Sequence, residues 1–341
     1  MSVPFSWPSV IGALLSGRGL GASEAAAAMT EIMEGAATPA QVAGFAVALR
    51  AKGETSEEVV GLVRTMRAYA ARVAVEGEVL DTCGTGGDRT GTFNVSTAAA
   101  FVCAGAGARV AKHGNRAASS RCGSADVLEA LGVRLDVPPA AVATCIEEAG
   151  MGFCFAPLFH PALRHAAGAR RELGVATVFN FLGPLTNPAG ATRQALGVAD
   201  PRMLDVMVET LGRLGSVHVV AFHGHGGLDE LATSGPSQVV ELSGGELRRW
   251  SLDPAELGVA PAPIEALGGG TAPENADAIR AVLGGENGPR RDIVVLNAGA
   301  GLVAGGIAAD IGEGLVRAAE AIDSGSAARV MDRLIEVSNS L

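Results

Sequence analysis

The chain has 341 residues, a formal net charge of −10, 47 glycines, and a hydrophobic content of 48% of which little is aromatic. This length favours two lobes, since single cores rarely grow past about 250–300 residues, and an aromatic-poor interior suits α/β layers better than a β-sandwich. The acidic charge argues against DNA or RNA as the main partner, because affinity for a polyanion depends on clustered Lys and Arg.

The amino-terminal part of the chain has the pattern of helices. Residues 9 to about 73 contain no strand candidate, and helical runs are expected over 25–33 and 56–71. Between them Thr38, Pro39 and Ala40 have the pattern of a helix cap with proline in the first turn. We therefore predict a small helical domain over residues 1–75.

From Val75 onward the pattern changes. Apolar runs at 108–111, 217–222 and 292–296 alternate with helix-length segments, which is typical of a mostly parallel sheet. We place the boundary near Glu76 and predict an α/β protein: a small all-helical N-terminal domain followed by a large α/β domain over residues 76–341 with a mostly parallel central sheet.

A glycine-rich run, Asp81–Asp88, follows the short strand candidate at 79–80 and leads to a small-residue helix over 98–106. Backbone N–H groups at such a helix start can bind an anion. The spacing matches neither a P-loop nor a dinucleotide-binding motif, and a tight connection alone is an equally common use of such glycines. Four short polar residues favour the anion site, since capping needs only one of them: Thr92, Asn94, Ser96 and Thr97.

A second polar run, Lys112–Ser120, carries six hydrogen-bonding side chains in nine residues, between a strand candidate and a helix that begins near Ser124. Holding such a cluster beside a sheet is costly unless a ligand with many acceptors binds it. A solvated loop with incidental charges is the alternative.

Asp229 and Glu230 follow the strand candidate at 217–222, at the position where open α/β sheets bind ligands. Adjacent acids alone usually mean a solvated loop. Beside a phosphate site, however, they would repel the ligand unless a cation lay between them, which points to Mg²⁺.

Other reactive side chains have simpler interpretations. His223 and His225 lack a Cys or acidic partner at zinc-site spacing, so a structural role in the loop is favoured. Cys83 has no evident base and is expected to pack rather than react. The stretch 153–161 is predicted to be an apolar loop, and its His160 fits either a core imidazole or a substrate wall.

Cysteine number and terminal sequence bear on the compartment. Five cysteines fall at no metal-ligand spacing, and an odd number without a signal peptide favours reduced thiols. No stretch reaches about 18 uninterrupted apolar residues. We expect a cytoplasmic protein that does not enter a membrane.

Taken in order, these motifs resemble the anthranilate phosphoribosyltransferase family of tryptophan biosynthesis. The resemblance runs nearly from end to end, and it includes the Thr38 cap, Arg170–Gly174, Asn180–Pro188, Asp229-Glu230 and Leu296–Ala300. It implies a homodimer formed through the helical domain, a return of the segment near 168–190 to that domain, and an active site at the hinge. The implied reaction transfers the phosphoribosyl group of 5-phosphoribosyl 1-diphosphate to anthranilate and releases pyrophosphate, with Mg²⁺ as cofactor.

The resemblance also implies the roles of individual residues. Anthranilate would contact Gly84, Asn115 and Arg170, and Mg²⁺ would be held by Ser96, Asp229 and Glu230. The phosphoribosyl diphosphate site would comprise Gly84, Gly87, Asp88, Thr92, Asn94, Val95, Ser96, Thr97, Lys112, His113, Gly114, Asn115, Arg116, Ala117, Ala118, Ser119, Ser120 and Ser124. No residue is expected to act as a covalent nucleophile.

The sequence departs from the family pattern at one position, and two other protein classes are alternatives to the implied function. Ala176 stands where the family often has a basic residue, which affects the outer substrate channel or the lobe contacts. A pyrimidine nucleoside phosphorylase shares the two-lobed fold, but the long Lys112–Ser120 run and Asp229-Glu230 suit a diphosphate and its metal better. A catalytically silent relative that binds nucleic acid would need a basic groove, which the charge of −10 disfavours.

Overall fold

The computed structural model describes residues 5–117 and 121–341, so the site candidates Ala118, Ser119 and Ser120 lie outside the described residues. Four helices come first: α1 (Trp7–Leu15), α2 (Ala22–Met33), α3 (Pro39–Lys52) and α4 (Ser56–Ala68). The local sequence explains where α3 begins, because the Thr38 hydroxyl accepts from the Gln41 N–H and the Gln41 side chain accepts from the Thr38 N–H. The predicted cap is confirmed.

A seven-stranded sheet follows, in the order β3-β2-β1-β4-β5-β6-β7. The first five strands in this order are parallel, and the last two pairings are antiparallel. The predicted architecture, a small helical domain with a large, mostly parallel α/β domain, is therefore confirmed. The strands are β1 (Leu80–Gly84), β2 (Val110–Gly114), β3 (Met151–Phe155), β4 (Arg193–Gly197), β5 (His218–His223), β6 (Ser237–Ser243) and β7 (Glu246–Leu252).

Helices cover both faces of the sheet. Helix α5 follows the glycine-rich run after a short connection, as its small-residue sequence predicts, and α13 packs against α5, α14 and three strands. The helices after β1 are α5 (Val95–Gly105), α6 (Ser124–Leu131), α7 (Pro139–Ala149), α8 (Ala156–Phe159), α9 (Arg164–Leu173), α10 (Phe179–Leu182), α11 (Leu204–Arg213), α12 (Ala272–Leu283), α13 (Pro289–Ala304), α14 (Ile311–Asp323) and α15 (Ser326–Ser340).

The apolar run at 292–296 is not the strand that we predict from its sequence, because it lies inside α13. Ile293, Val294 and Leu296 are buried on a helix that packs against both strands and helices. Periodicity does not separate a fully buried helix from a buried strand. The stretch 153–161 is also more regular than predicted, since it completes β3 and forms α8.

One hydrophobic cluster joins the first four helices to later segments of the chain. Ala166 and Ala169 from α9, with Val178, Leu182 and Leu185 from the following segment, pack together with residues of α1–α4. None of the helices in the described part of the chain is long and apolar enough to cross a membrane.

Candidate functional site

The sheet brings the three polar segments to one edge. The glycine-rich run begins within β1 and continues as a loop after Gly84, the Lys112 run begins on β2, and Asp229-Glu230 follows β5. Strands β1, β2 and β5 are parallel, so they end at the same edge, and the chain order reverses between β1 and β4. Ligands of open α/β sheets bind at such a switch point.

The glycine-rich loop packs against the acidic pair. Gly86 and Gly87 have φ angles of 67° and 80°, a conformation that is free of strain only for glycine. The Gly86 N–H donates to Oδ2 of Asp229 at 2.6 Å. A Cβ on Gly84 would lie 2.3 Å from the same oxygen, so glycine is needed there for the acid to approach.

The start of helix α5 connects to both other segments. The Ser96 N–H donates to Oε1 of Glu230 at 3.0 Å, and Nζ of Lys112 donates to Oγ of Ser96 at 3.3 Å. Lys112 also donates to the Thr82 carbonyl. Ser96 is therefore the point at which the glycine loop, the lysine and the acidic pair meet.

Lys112 and Glu230 are buried and Asp229 is half-buried, which shifts their titration. Burial raises the pKa of Asp229 to about 7, and Asp88 adds to the shift. Burial and then Asp229 raise the pKa of Glu230 far above its usual value. Burial lowers the pKa of Lys112, against the attraction of Asp81. Two adjacent acids whose ionisation is this unfavourable form a site that a cation would stabilise.

Protein ligands for a cation are nevertheless few. Residues 5–117 and 121–341 contain no group of three or more His, Cys, Asp or Glu side chains that could hold a metal ion. The predicted set of Ser96, Asp229 and Glu230 offers two carboxylates and one hydroxyl. Such a set fits Mg²⁺, which commonly uses one or two carboxylates and takes its remaining ligands from substrate phosphates and water.

The second polar run divides at the end of β2. Lys112 and His113 are buried, whereas Asn115 and Arg116 beyond the strand are exposed. The Arg116 guanidinium donates to Asp126 at 2.9 Å and to Glu129 at 2.8 Å, so most of its donors are already engaged.

Other site candidates divide between core and loop positions. Val95 and Thr97 are 1% and 0% exposed, and a ligand would contact their backbone rather than their side chains. The Asn94 side chain donates to the Cys122 carbonyl and accepts from Asn275 instead of capping α5. The remaining candidates are partly or fully exposed at the loops, namely Gly87, Asp88, Thr92, Gly114, Ala117 and Ser124.

Two buried histidines lie next to each other beside this site, with their rings tilted by 51°. The ring centroids of His113 and His160 are 5.1 Å apart. Burial lowers the pKa of His113 to about 3 and that of His160 to about 4, so both are neutral at pH 7. Nδ1 of His113 contacts the Gly183 carbonyl at 3.1 Å. Nε2 of His113 has no hydrogen-bond partner among the described residues. The His160 ring lies near the Thr186 backbone, but neither of its nitrogens reaches a partner at hydrogen-bond geometry in the described part of the chain.

Arg170 lies on α9, away from the contacts described so far. Its guanidinium is over the Phe179 ring at 5.7 Å, it has no hydrogen-bond partner among the described residues, and burial lowers its pKa. No hydrogen bond joins Arg170 to Gly84 or Asn115, the two residues with which the resemblance groups it. A half-buried guanidinium of this kind has its full set of donors free for a carboxylate.

The residues set aside by the sequence analysis have structural contacts. The Cys83 thiol is buried, which raises its pKa well above the usual value, and it accepts from Gln194. His223 contacts the Val198 carbonyl at 2.8 Å, and His225 contacts the Ser234 hydroxyl at 3.1 Å.

Several residues that shape the site are not recognisable as site residues from the sequence pattern. Asp81 accepts from the His113 N–H at 3.1 Å and from the Asn187 amide at 2.8 Å. Asn297 binds the backbone next to Glu230, and Gly197 lies beneath Asp229. Both asparagines occur in motifs that carry the resemblance, which was the only available signal.

Residues 76–328 match the model of the glycosyl transferase family a/b domain, and residues 8–70 match that of the helical bundle domain of the same family. The anthranilate phosphoribosyltransferase of Nocardioides sp. is 57% identical over 335 residues, covering 97% of this chain and 98% of the relative.

Solved structures agree with the sequence comparison. Anthranilate phosphoribosyltransferase from Thermus thermophilus is 47% identical, with a TM-score of 0.91 over 97% of this chain and 99% of that one. The Saccharomyces cerevisiae enzyme in complex with PRPP and Mg is 27% identical, with a TM-score of 0.88 over 98% of both chains. Another structure of the yeast enzyme contains 4-fluoroanthranilate.

Proposed function

The chain belongs to the anthranilate phosphoribosyltransferase family, and we infer that it transfers the phosphoribosyl group of 5-phosphoribosyl 1-diphosphate to the amine of anthranilate. The products are N-(5-phosphoribosyl)anthranilate and pyrophosphate, which makes the reaction the second step of tryptophan synthesis from chorismate. The observation that carries this conclusion is the convergence of Lys112, Ser96 and Glu230 at the start of α5.

We propose that the diphosphate binds between the glycine-rich loop and the start of α5. The positive end of the helix dipole favours an anion at a helix start, and the Lys112 ammonium lies within hydrogen-bond distance of Ser96. Anionic oxygens would also favour the charged form of Lys112, which burial disfavours. The glycine loop adds a surface without side chains on which phosphate oxygens can approach the backbone.

We propose that Mg²⁺ is held by Ser96, Asp229 and Glu230, a set that is supported by the raised pKa values of the two adjacent acids. When bound, the ion would neutralise charge on the departing diphosphate. The yeast relative contains Mg together with PRPP.

We propose that anthranilate lies between the two lobes, with its carboxylate against Arg170 and its ring near Gly84 and Asn115. A planar guanidinium matches a carboxylate through two parallel hydrogen bonds. The 4-fluoroanthranilate complex of the yeast relative supports the substrate class.

The protein's contribution to the reaction is then positioning and charge stabilisation. Breaking the bond between ribose C1 and the diphosphate leaves negative charge on the leaving oxygens, and Lys112 together with backbone N–H groups would stabilise it. The aniline nitrogen attacks C1 directly, so no protein nucleophile is needed, and the raised pKa of Cys83 agrees with an inert thiol.

We further propose a domain boundary near Glu76, with the segment 168–190 belonging to the helical lobe. The packing of α9 against α2 and α3 supports this division. We also propose a cytoplasmic homodimer formed through the helical lobe, which is supported by the exposed apolar side chains of Leu15 and Val47. Sedimentation of wild type and Leu15→Glu tests the dimer, because the variant should sediment as a monomer.

The activity is tested by mixing the protein with anthranilate, phosphoribosyl diphosphate and Mg²⁺ and following the loss of anthranilate fluorescence. A loss that requires all three additions is expected. No loss under any metal condition, with phosphorolysis of thymidine or uridine instead, would show a nucleoside phosphorylase.

A further inference from the structure

Asn297 lies in the middle of α13, where its side chain is 3% exposed. Its Oδ1 accepts from the Leu231 N–H at 2.8 Å, and its Nδ2 donates to the Leu231 carbonyl at 3.0 Å. Nδ2 also donates to the Ile293 carbonyl in its own helix at 2.9 Å. One amide therefore holds both backbone groups of the residue that follows Glu230.

This arrangement is specific for asparagine. Asparagine is a weak helix former, and a buried amide is costly unless every polar atom is bonded. A carboxylate at this position would place an oxygen against the Leu231 carbonyl, and an apolar side chain would leave two buried backbone groups unbonded. Hence the position is occupied by a residue that the helix itself does not favour.

The acidic pair is held from other sides as well. The Gly86 N–H binds the Asp229 carboxylate, and the Ser96 N–H binds that of Glu230. These bonds come from the two proposed diphosphate-binding elements. Asn297 supplies a further contact, to the backbone of the residue that directly follows Glu230.

Helix α13 also sets the distance between the acids and Ser96. It packs directly on α5, where a Cβ on Gly301 would lie 2.7 Å from Sγ of Cys103. The Cys103 thiol donates to the Ala298 carbonyl, next to Asn297. Small residues such as Ala298 and Gly301 let α13 lie close to α5. Because Asn297 on α13 binds the acidic segment, this close packing fixes that segment relative to Ser96 on α5.

We propose that Asn297 is a positioning residue that orients Asp229 and Glu230 toward a divalent cation bound with diphosphate. The inference rests on the proposed function, because it assigns Asn297 to the metal site of that reaction. Residues that orient metal ligands typically change metal affinity about 10- to 100-fold when they are replaced.

Binding of Mn²⁺ in the presence of inorganic diphosphate, followed by electron paramagnetic resonance, tests this without turnover. Asn297→Ala and the milder Asn297→Ser should weaken Mn²⁺ binding by about 10-fold or more, and in steady-state assays should raise the Mg²⁺ requirement while leaving the KM for anthranilate within about twofold. The matched control is Val294→Ala, a buried change on the same helix that leaves the amide contacts intact.

Failure of the Asn297 proposal and failure of the proposed function give different results. Unchanged Mn²⁺ affinity in a folded Asn297 variant, or an equal loss in Val294→Ala, would overturn the proposal, and so would a wild type that does not bind Mn²⁺ with diphosphate. A wild type that binds both but does not consume anthranilate would instead refute the proposed function. If Asn297→Ala does not fold, Asn297→Ser and the control still decide.

Discussion

A Cβ atom on Gly197 would lie 1.6 Å from the carbonyl oxygen of Asp229 and 2.4 Å from its carbonyl carbon. Gly197 is the last residue of β4, which lies between β1 and β5 at the point where the chain order reverses. The acidic segment therefore rests directly on the end of a central strand. Only a residue without a side chain permits this contact.

Gly197→Ala should accordingly displace Asp229, because the obstacle is backbone and cannot rotate away. We expect kcat/KM to fall at least about 10-fold, since the acid ligands would leave their productive geometry, with a stability loss of about 1–3 kcal/mol from overpacking. Steady-state kinetics and urea denaturation measure the two effects. The control is Gly12→Ala on α1, where an added Cβ meets nothing within 4 Å; it should lower neither kcat/KM nor stability. Wild-type kinetics in Gly197→Ala would show that the Asp229 backbone does not need the space at Gly197.

Sequence predicted the elements whose signals are local. The Thr38 cap, the strand before the glycine loop and the helix start near Ser124 depend on neighbouring residues, and the structure has all three. The prediction of a strand at 292–296 was wrong. Most residues of α13 are buried, so the helix lacks the polar face by which an amphipathic helix is recognised in a sequence.

Long-range contacts explain what the sequence analysis missed in the site. Glu230 meets the Ser96 N–H across 134 residues of chain, and Asn297 meets Leu231 across 66. Gly197 has a negative φ and no glycine-rich surroundings, so nothing local marks it. Such residues become recognisable only when the sheet has brought the segments together.

Arg170→Ala tests the carboxylate anchor. The guanidinium has no hydrogen-bond partner in the described ranges and is available to a ligand, and a charge-assisted hydrogen bond is worth about 1.5–3 kcal/mol. We expect the KM for anthranilate to rise by about 10- to 100-fold and that for phosphoribosyl diphosphate by much less. The neighbouring exposed Arg171→Ala is the control and should retain both constants. Equal increases for both substrates would mean that Arg170 does not hold the carboxylate.

Asn187→Ala tests the buried support beneath the second polar run. The Asn187 amide donates to Asp81 at 2.8 Å and to the Ala111 carbonyl at 2.7 Å, and Asp81 in turn accepts from the His113 N–H. Because burial already raises the pKa of Asp81 to about 6, losing this donor leaves a poorly compensated acid. A stability loss of about 2–4 kcal/mol by urea denaturation is expected. The exposed Asn339→Ala should lose less than about 1 kcal/mol, and a similar loss in both would refute the role.

The pH dependence of stability tests the link between Arg50 on α3 and Asp200 after β4. Burial alone would raise the pKa of Asp200, but hydrogen bonds from Arg202 and Arg50 outweigh it and hold the pKa well below the ordinary value. The bonded carboxylate binds protons less readily in the folded state than in the unfolded one. Its stabilisation is therefore complete above about pH 5 and declines as the pH falls below about 4, the unfolded value, through the folded pKa.

Asp200→Asn should therefore cost about 1.5–3 kcal/mol at pH 7, and this penalty should shrink when urea denaturation is repeated near pH 3. Asp136→Asn provides the matched control, since its pair with Arg134 is exposed and exposed pairs contribute about 0–1 kcal/mol. A penalty for Asp200→Asn that stays constant or grows toward low pH would show that the carboxylate does not stabilise this contact between α3 and the end of β4 through its charge.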